Sequence, residues 1–172
     1  MAKKISLREF QEGVTAKLNS LSSMTSTSSK LGVRTGSQLW LIDLADVSEV
    51  IPVPALADVP LTRPWFSGVA NIRGNLYSTI DFSAFMGSES TPINMESRLL
   101  LVNQKYSLNA GLIVNKMMGL RNPDLLQRKE SSGDVRHPWV AGEYTDAEGN
   151  HWRDLNMQEL IHHPDFLQVG IV

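Results

Sequence analysis

The sequence repeats itself, and that limits the fold more than any other feature in it. Pro64-Trp65-Phe66-Ser67-Gly68 returns as Pro138-Trp139-Val140-Ala141-Gly142, Gly74-Asn75 as Gly149-Asn150, and Asp81-Phe82 as Asp154-Leu155. Upstream, Leu41-Ile42 ahead of Pro52 is matched by Leu112-Ile113 ahead of Pro123. The pairs Pro52/Pro123, Pro64/Pro138 and Asp81/Asp154 lie 71, 74 and 73 residues apart and keep their order, so a unit of roughly 73 residues occurs twice. A chain of 172 residues holds two such units packed on each other, but not a large enzyme domain with a separate cofactor domain.

Each unit reads as short strands with a little helix. Leu39-Trp40-Leu41-Ile42-Asp43-Leu44 and Val47-Ser48-Glu49-Val50-Ile51-Pro52-Val53 are aromatic and β-branched runs ended by polar residues or proline. Residues 68–72 and 76–80 flank Arg73-Gly74-Asn75, where Gly and Asn accept the positive φ of a tight hairpin. Arg98–Val102 and Ala110–Val114 are again strand-like, residues 128–136 read as an exposed charged loop, and short helices are expected at 83–86 and 157–162. The fold class expected is all-β with minor helix, built from two small closed barrels that hide their own strand edges. The first barrel is placed at about 38–96 and the second at about 97–172, together making a body over 31–172. Ahead of it, Leu7, Phe10, Val14, Leu18 and Leu21 recur every three or four residues, the stripe of an amphipathic helix over 5–21. Such a helix packs on its own domain or docks on another protein. Residues 19–30 are nearly all Ser, Thr and small polar types, the composition of a flexible tether, so residues 1–30 read as helix plus tether.

Charge and composition narrow the function. A net charge of −2 and a pI near 6.1 give no positive field to attract nucleic acid or an anionic membrane. The chain has no cysteine, which removes disulfides, thiolate metal sites and cysteine nucleophiles and suits a reducing compartment. No apolar h-region follows Lys3-Lys4, and the longest apolar runs fall far short of the ~20 residues of a membrane helix. A cytoplasmic location without direct membrane insertion is expected.

The sequence holds no recognisable catalytic constellation. His137, His151 and the adjacent pair His162-His163 lack the spacing of a metal face. There is no Gly-x-Ser-x-Gly turn and no phosphate-cradling glycine loop, so neither a serine hydrolase nor an ATP or NAD site is indicated. Asp81 reads as the cap of a short helix rather than as a phosphate acceptor. Trp65 and Trp139 open equivalent strands and read as core anchors, not as stacking platforms for bases. No enzyme and no cofactor are expected. Two rivals stand beside a docking protein: a small barrel that binds a ligand or nucleic acid, and an unrecognised hydrolase.

The run from Arg63 to Phe82, Arg-Pro-Trp-Phe-Ser-Gly-Val-Ala-Asn-Ile-Arg-Gly-Asn-Leu-Tyr-Ser-Thr-Ile-Asp-Phe, resembles the signature of the CheW family of chemotaxis adaptors. There, Pro, an aromatic pair and Gly-Val precede Asn-hydrophobic-Arg-Gly and a strand ending in Asp. Val47-Ser48-Glu49-Val50 is similar to that family's Val-x-Glu-hydrophobic element. The likeness runs over about residues 35–170 and is sharper in the first half. It implies two five-stranded, SH3-like barrels and a non-catalytic adaptor. The implied partners are the cytoplasmic tip of methyl-accepting chemoreceptors and the regulatory domain of a CheA-type histidine kinase. The N-terminal segment, Trp40–Leu44 and the stretch from Pro52 to Trp65 look more like the PilI branch, which serves the chemosensory system of type IV pili and twitching motility. Carried over by position, the resemblance implies a protein-binding surface of Val47, Glu49, Asn71 and Arg73. Asn71, Gly68 and Gly74 also have a plain reading as turn formers. Arg73 has less need of one, because a hairpin requires no arginine and an exposed guanidinium makes two-point bonds to a partner. Tyr77-Ser78-Thr79 is more polar than the family's usual strand, and 143–151 is an unusually acidic hairpin, which leaves the partner surface of the second half unassigned.

Overall fold

Two sheets account for the described part of the chain, residues 29–130 and 136–171 in a computed structural model. The expected N-terminal helix, most of the tether and part of the 128–136 loop lie outside the described residues. One sheet has the order β8-β1-β2-β11-β10-β9: β1 Lys30–Thr35, β2 Gln38–Asp43, β8 Lys116–Arg121, β9 Gln127–Lys129, β10 Val140–Thr145 and β11 His151–Leu155. The other has the order β3-β6-β7-β5-β4: β3 Val47–Pro52, β4 Phe66–Ile72, β5 Asn75–Asp81, β6 Arg98–Val102 and β7 Ala110–Val114. Three short helices complete it: α1 Phe82–Phe85, α2 Met157–His162 and α3 Pro164–Leu167.

The boundary near residue 96 divides the two repeats but not the two sheets. β1 and β2 belong to the first unit, yet β1 pairs with β8 and β2 runs parallel to β11, both from the second. Reciprocally, β6 and β7 belong to the second unit, yet β6 pairs with β3 and β7 runs parallel to β5. The six-stranded sheet therefore takes the first two strands of the first unit and the last four of the second, and the five-stranded sheet the last three of the first and the first two of the second. The contiguous halves expected at 38–96 and 97–172 are thus a description of the repeat and not of the sheets, because four strand pairings cross between them.

This exchange explains the unbroken apolar runs of β6 and β7, because both lie between two cores. Leu99, Leu101 and Ile113 point into the five-stranded barrel with Ala70, Ile72 and Tyr77. Their neighbours Leu100, Val102, Ala110, Leu112 and Val114 point the other way, onto Val33, Trp40, Ile42 and Leu155 of the six-stranded sheet. Strands covered on both faces have no polar side to show, whereas half-exposed strands alternate. Trp65, ahead of β4, and Trp139, ahead of β10, meet Phe85 and Phe166 in one aromatic group, with Trp65 half-buried and Trp139 buried. The core role expected of both tryptophans is therefore met at equivalent strand entrances.

Asp81 caps α1 by accepting from the Ser83 and Ala84 amides, and it also accepts from the Thr91 amide at 2.6 Å and the Thr91 hydroxyl at 2.7 Å. Its repeat counterpart Asp154 does different work. It takes an ion pair from Lys30 at 2.7 Å, joining β11 to β1 across β2, and Asn156 caps α2 instead. Burial raises the Asp154 carboxyl, against the opposing pull of the Lys30 ammonium.

The five-stranded sheet closes where the chain leaving β3 returns to β4, through Ala57 N–H to Val69 O at 2.8 Å and Val69 N–H to Ala57 O at 2.9 Å. Gly68 makes that approach feasible, since it sits at φ 113° and a Cβ there would lie 2.3 Å from the Ala57 carbonyl oxygen. Gly68→Ala combines a backbone clash with a forbidden φ and is expected to cost about 3 kcal/mol or more. Urea denaturation of the two proteins measures the difference, and a loss well under that value contradicts the closure described.

Candidate protein-docking surface

The β4–β5 hairpin turns in two residues, Arg73 and Gly74, between the paired Ile72 and Asn75. Both turn residues have positive φ, 51° for Arg73 and 84° for Gly74, the pattern of the tight turns that suit twisted hairpins. The first such position normally goes to Asn or Gly, because any other side chain crowds its own backbone. The positive φ expected of Asn75 is thus taken by Arg73. The Ile72–Asn75 pairing and the Asn71 bond to the Gly74 amide fix this turn, and the arginine it carries projects its side chain away from it.

Its guanidinium reaches β3 and donates two parallel bonds to Glu49, Nη1 to Oε2 at 2.7 Å and Nη2 to Oε1 at 2.6 Å. The carboxylate holds the arginine proton more firmly, and the guanidinium lowers the Glu49 carboxyl. β3 and β4 are the two edges of the five-stranded sheet, so the pair spans the barrel's mouth. The arginine side chain nonetheless keeps 70% of its surface in solvent, which marks a pair presented outward rather than one that fastens the core.

The structure brings together three of the four residues implied by the resemblance. Asn71 serves the turn, accepting the Gly74 amide through Oδ1 at 2.9 Å. Val47 stands apart: the register shifts between Val47 and Glu49, and this bulge directs Val47 onto the inter-sheet core while Glu49 faces the mouth. Ser48, the extra residue, bonds the Leu101 carbonyl at 3.3 Å. Sequence reasoning passed over Leu76, which pairs with Asn71 and is 62% exposed. The signal was present, for Leu76 alternates with the buried Tyr77, and an apolar residue on the outer phase of a strand beside a turn asks for a partner.

The second unit builds its equivalent hairpin inwardly. Asp146 accepts the amides of Glu148 at 3.0 Å and Asn150 at 2.9 Å, the Asn150 side-chain amide at 3.0 Å and the Trp152 indole N–H at 2.9 Å. The acidic character of 143–151 is in part the cost of this one satisfied carboxylate, and no arginine projects from the turn. Four donors lower the Asp146 carboxyl to about 2, the Trp152 bond contributing most. Among the described residues no cluster of three His, Cys, Asp or Glu is placed to hold a metal. No described helix is long and apolar enough to cross a membrane. His162 bonds the Gln158 carbonyl within its own helix, and His163 caps α3 through the Asp165 amide.

The depressed carboxyl has a pH signature. With a folded value near 2 against an ordinary 3.8, Asp146 contributes stability that is complete above about pH 4 and is lost as pH falls through 2. A carbon-detected NMR titration of the Asp146 carboxyl is expected to find its midpoint near 2; a midpoint in the ordinary aspartate range contradicts the hairpin geometry.

Comparison with known proteins follows the same lines. The family described as the CheW-like domain matches residues 30–165. Protein PilI of Pseudomonas aeruginosa is 27% identical over 146 residues, covering 83% of this chain and 80% of that protein. The crystal structure of the scaffolding protein TtCheW from Thermoanaerobacter tengcongensis superposes with a TM-score of 0.67 at 18% identity, over 81% of this chain and 95% of that one.

Proposed function

From the premise that the chain belongs to the CheW-like domain family, we propose that it is a non-catalytic adaptor that couples chemoreceptors to a CheA-type histidine kinase. The observation that carries this reading is the pair of Arg73 and Glu49, a two-point ion pair displayed at the mouth of a rigid barrel by a backbone conformation that arginine disfavours. Its chemistry is recognition. A planar guanidinium already oriented by a carboxylate meets partner carbonyls or carboxylates without first losing rotamer freedom, and the exposed Leu76 beside it supplies apolar area. Asn71 maintains the turn and Val47 buttresses the strand, so both act on the contact through Arg73 and Glu49.

The likeness to Protein PilI over most of both chains supports a finer assignment, to the chemosensory system that governs type IV pili and twitching motility. A cytoplasmic place beneath a receptor array follows from that role. Nothing in the geometry favours the nucleic-acid or hydrolase alternatives.

Arg73→Asn separates docking from folding, since asparagine suits the turn but cannot make the two-point pair. Thermal melting of this variant is expected to match the parent, while calorimetry against a CheA-type regulatory domain or a receptor tip is expected to show affinity weaker by about five-fold or more. Equal affinity for both partners removes Arg73 from the surface. In a strain lacking the native protein, restoration of twitching by the parent chain but not by the variant tests the finer assignment.

A further inference from the structure

The two strand entrances that the repeat makes equivalent also frame a cavity. Aligning Pro64 with Pro138 matches Arg63 to His137 and Trp65 to Trp139, and all four line one open cavity of about 260 Å³. Phe85 joins the wall between them, its ring 5.1 Å from that of Trp65 and 5.3 Å from that of Trp139. Arg136 adds to the basic side, and Asp165 is the one acid in the described lining. That acid stands 3.7 Å from His163, while the guanidinium of the exposed Arg63 makes no hydrogen bond or ion pair among the described residues. A chain of net charge −2 thus keeps a basic, aromatic-walled hollow between its two repeats.

Beside the cavity a local rule is broken. Leu61, two residues before Arg63, has a φ of 59°, a left-handed conformation that crowds a Cβ, and it is 69% exposed. Backbone bonds fix the chain there: Ile171 N–H donates to Leu61 O at 3.0 Å, and Arg63 N–H donates to Val169 O at 2.8 Å. Ile171, held against Leu61 in this way, is 54% exposed. Neither the core nor the turn gains from a leucine at that position, so its side chain is on offer to something outside the fold. Trp65 precedes β4 and Arg73 follows it, which sets the region roughly 25 Å from the pair of Arg73 and Glu49.

We infer that this region is a second docking port, which takes an acidic peptide of a partner protein. The peptide carboxylate sits in the cavity against Arg63, an apolar side chain next to it lies on the aromatic wall, and another covers Leu61 and Ile171. Charge complementarity favours that occupant, since a guanidinium meets a carboxylate at two points. Size does too: pockets that bury a whole drug-sized ligand run from about 300 to 1,000 Å³, and the smaller volume here suits a single anchoring side chain. The exposed pair of Leu61 and Ile171 then lengthens the contact beyond the cavity, as an extended peptide requires. At that distance from the Arg73 mouth, both ports can be filled at once.

The probe is a capped peptide, Gly-Phe-Asp-Leu-Gly, titrated into the full chain and followed through the indole N–H signals in NMR. The signals of Trp65 and Trp139 are expected to move while that of Trp152, bonded to Asp146, stays fixed. Asn in place of Asp in the peptide is expected to weaken binding about five-fold or more, and Arg63→Gln to erase that difference. Leu61→Gly relieves the turn, so its melting temperature is expected to equal or exceed the parent's while its affinity for the Asp peptide falls about three-fold or more. Arg73→Asn is expected to leave peptide binding unchanged, so this port and the Arg73 surface stand or fall separately. Unmoved Trp65 and Trp139 signals at millimolar peptide overturn the inference, as does equal affinity for the Asp and Asn peptides or an undiminished affinity in Leu61→Gly. Benzoate bound as tightly as the whole peptide assigns the cavity to a small carboxylate and overturns the port. Self-association of the chain in sedimentation, lost in Arg63→Gln, assigns it to a second copy and overturns it as well.

Discussion

Everything in this protein depends on two parallel pairings, β2 with β11 and β5 with β7, which join strands of one repeat to strands of the other. Parallel neighbours need long crossover connections within one unit, and here that requirement is met by trading strands between units. The trade buries both faces of β6 and β7 and fuses the two cores through a shared wall. Rigid placement of the hairpin at the mouth is the result, because β5 is clamped between β4 on one side and β7 on the other.

The two hairpins show how one repeat was put to two uses. In the second unit, Asp146 satisfies four donors and folds the turn upon itself. In the first, turn chemistry is set aside, an arginine occupies a position better suited to asparagine, and its charge is paired across the mouth with Glu49. Local rules are broken where binding is proposed and kept where only structure is served.

Legibility in the sequence followed physical signal strength. Strands rich in β-branched or aromatic residues, such as β2, β3, β6 and β7, were evident, as was the hairpin at Gly74. β1 and β8 were missed because their edges are blurred: Gly32 interrupts one, while the other mixes two methionines with a Gly119 at φ 84° where the register slips. Gly32 also packs its bare backbone near the Trp152 ring, a reason for glycine that appears only once the strands are paired. Strand exchange was invisible, since a repeat in sequence tells which pieces are alike and not which of them pair. At the candidate site the residues themselves were readable, but their arrangement was not. The bulge at Ser48 separates Val47 from Glu49, and no spacing rule announces a bulge.

The exchanged topology also bears on concentration. Two free units trading the same strand pairs would close into a symmetric dimer that falls apart on dilution. Written as one chain, the same arrangement becomes intramolecular, so its integrity no longer depends on how many copies a cell contains.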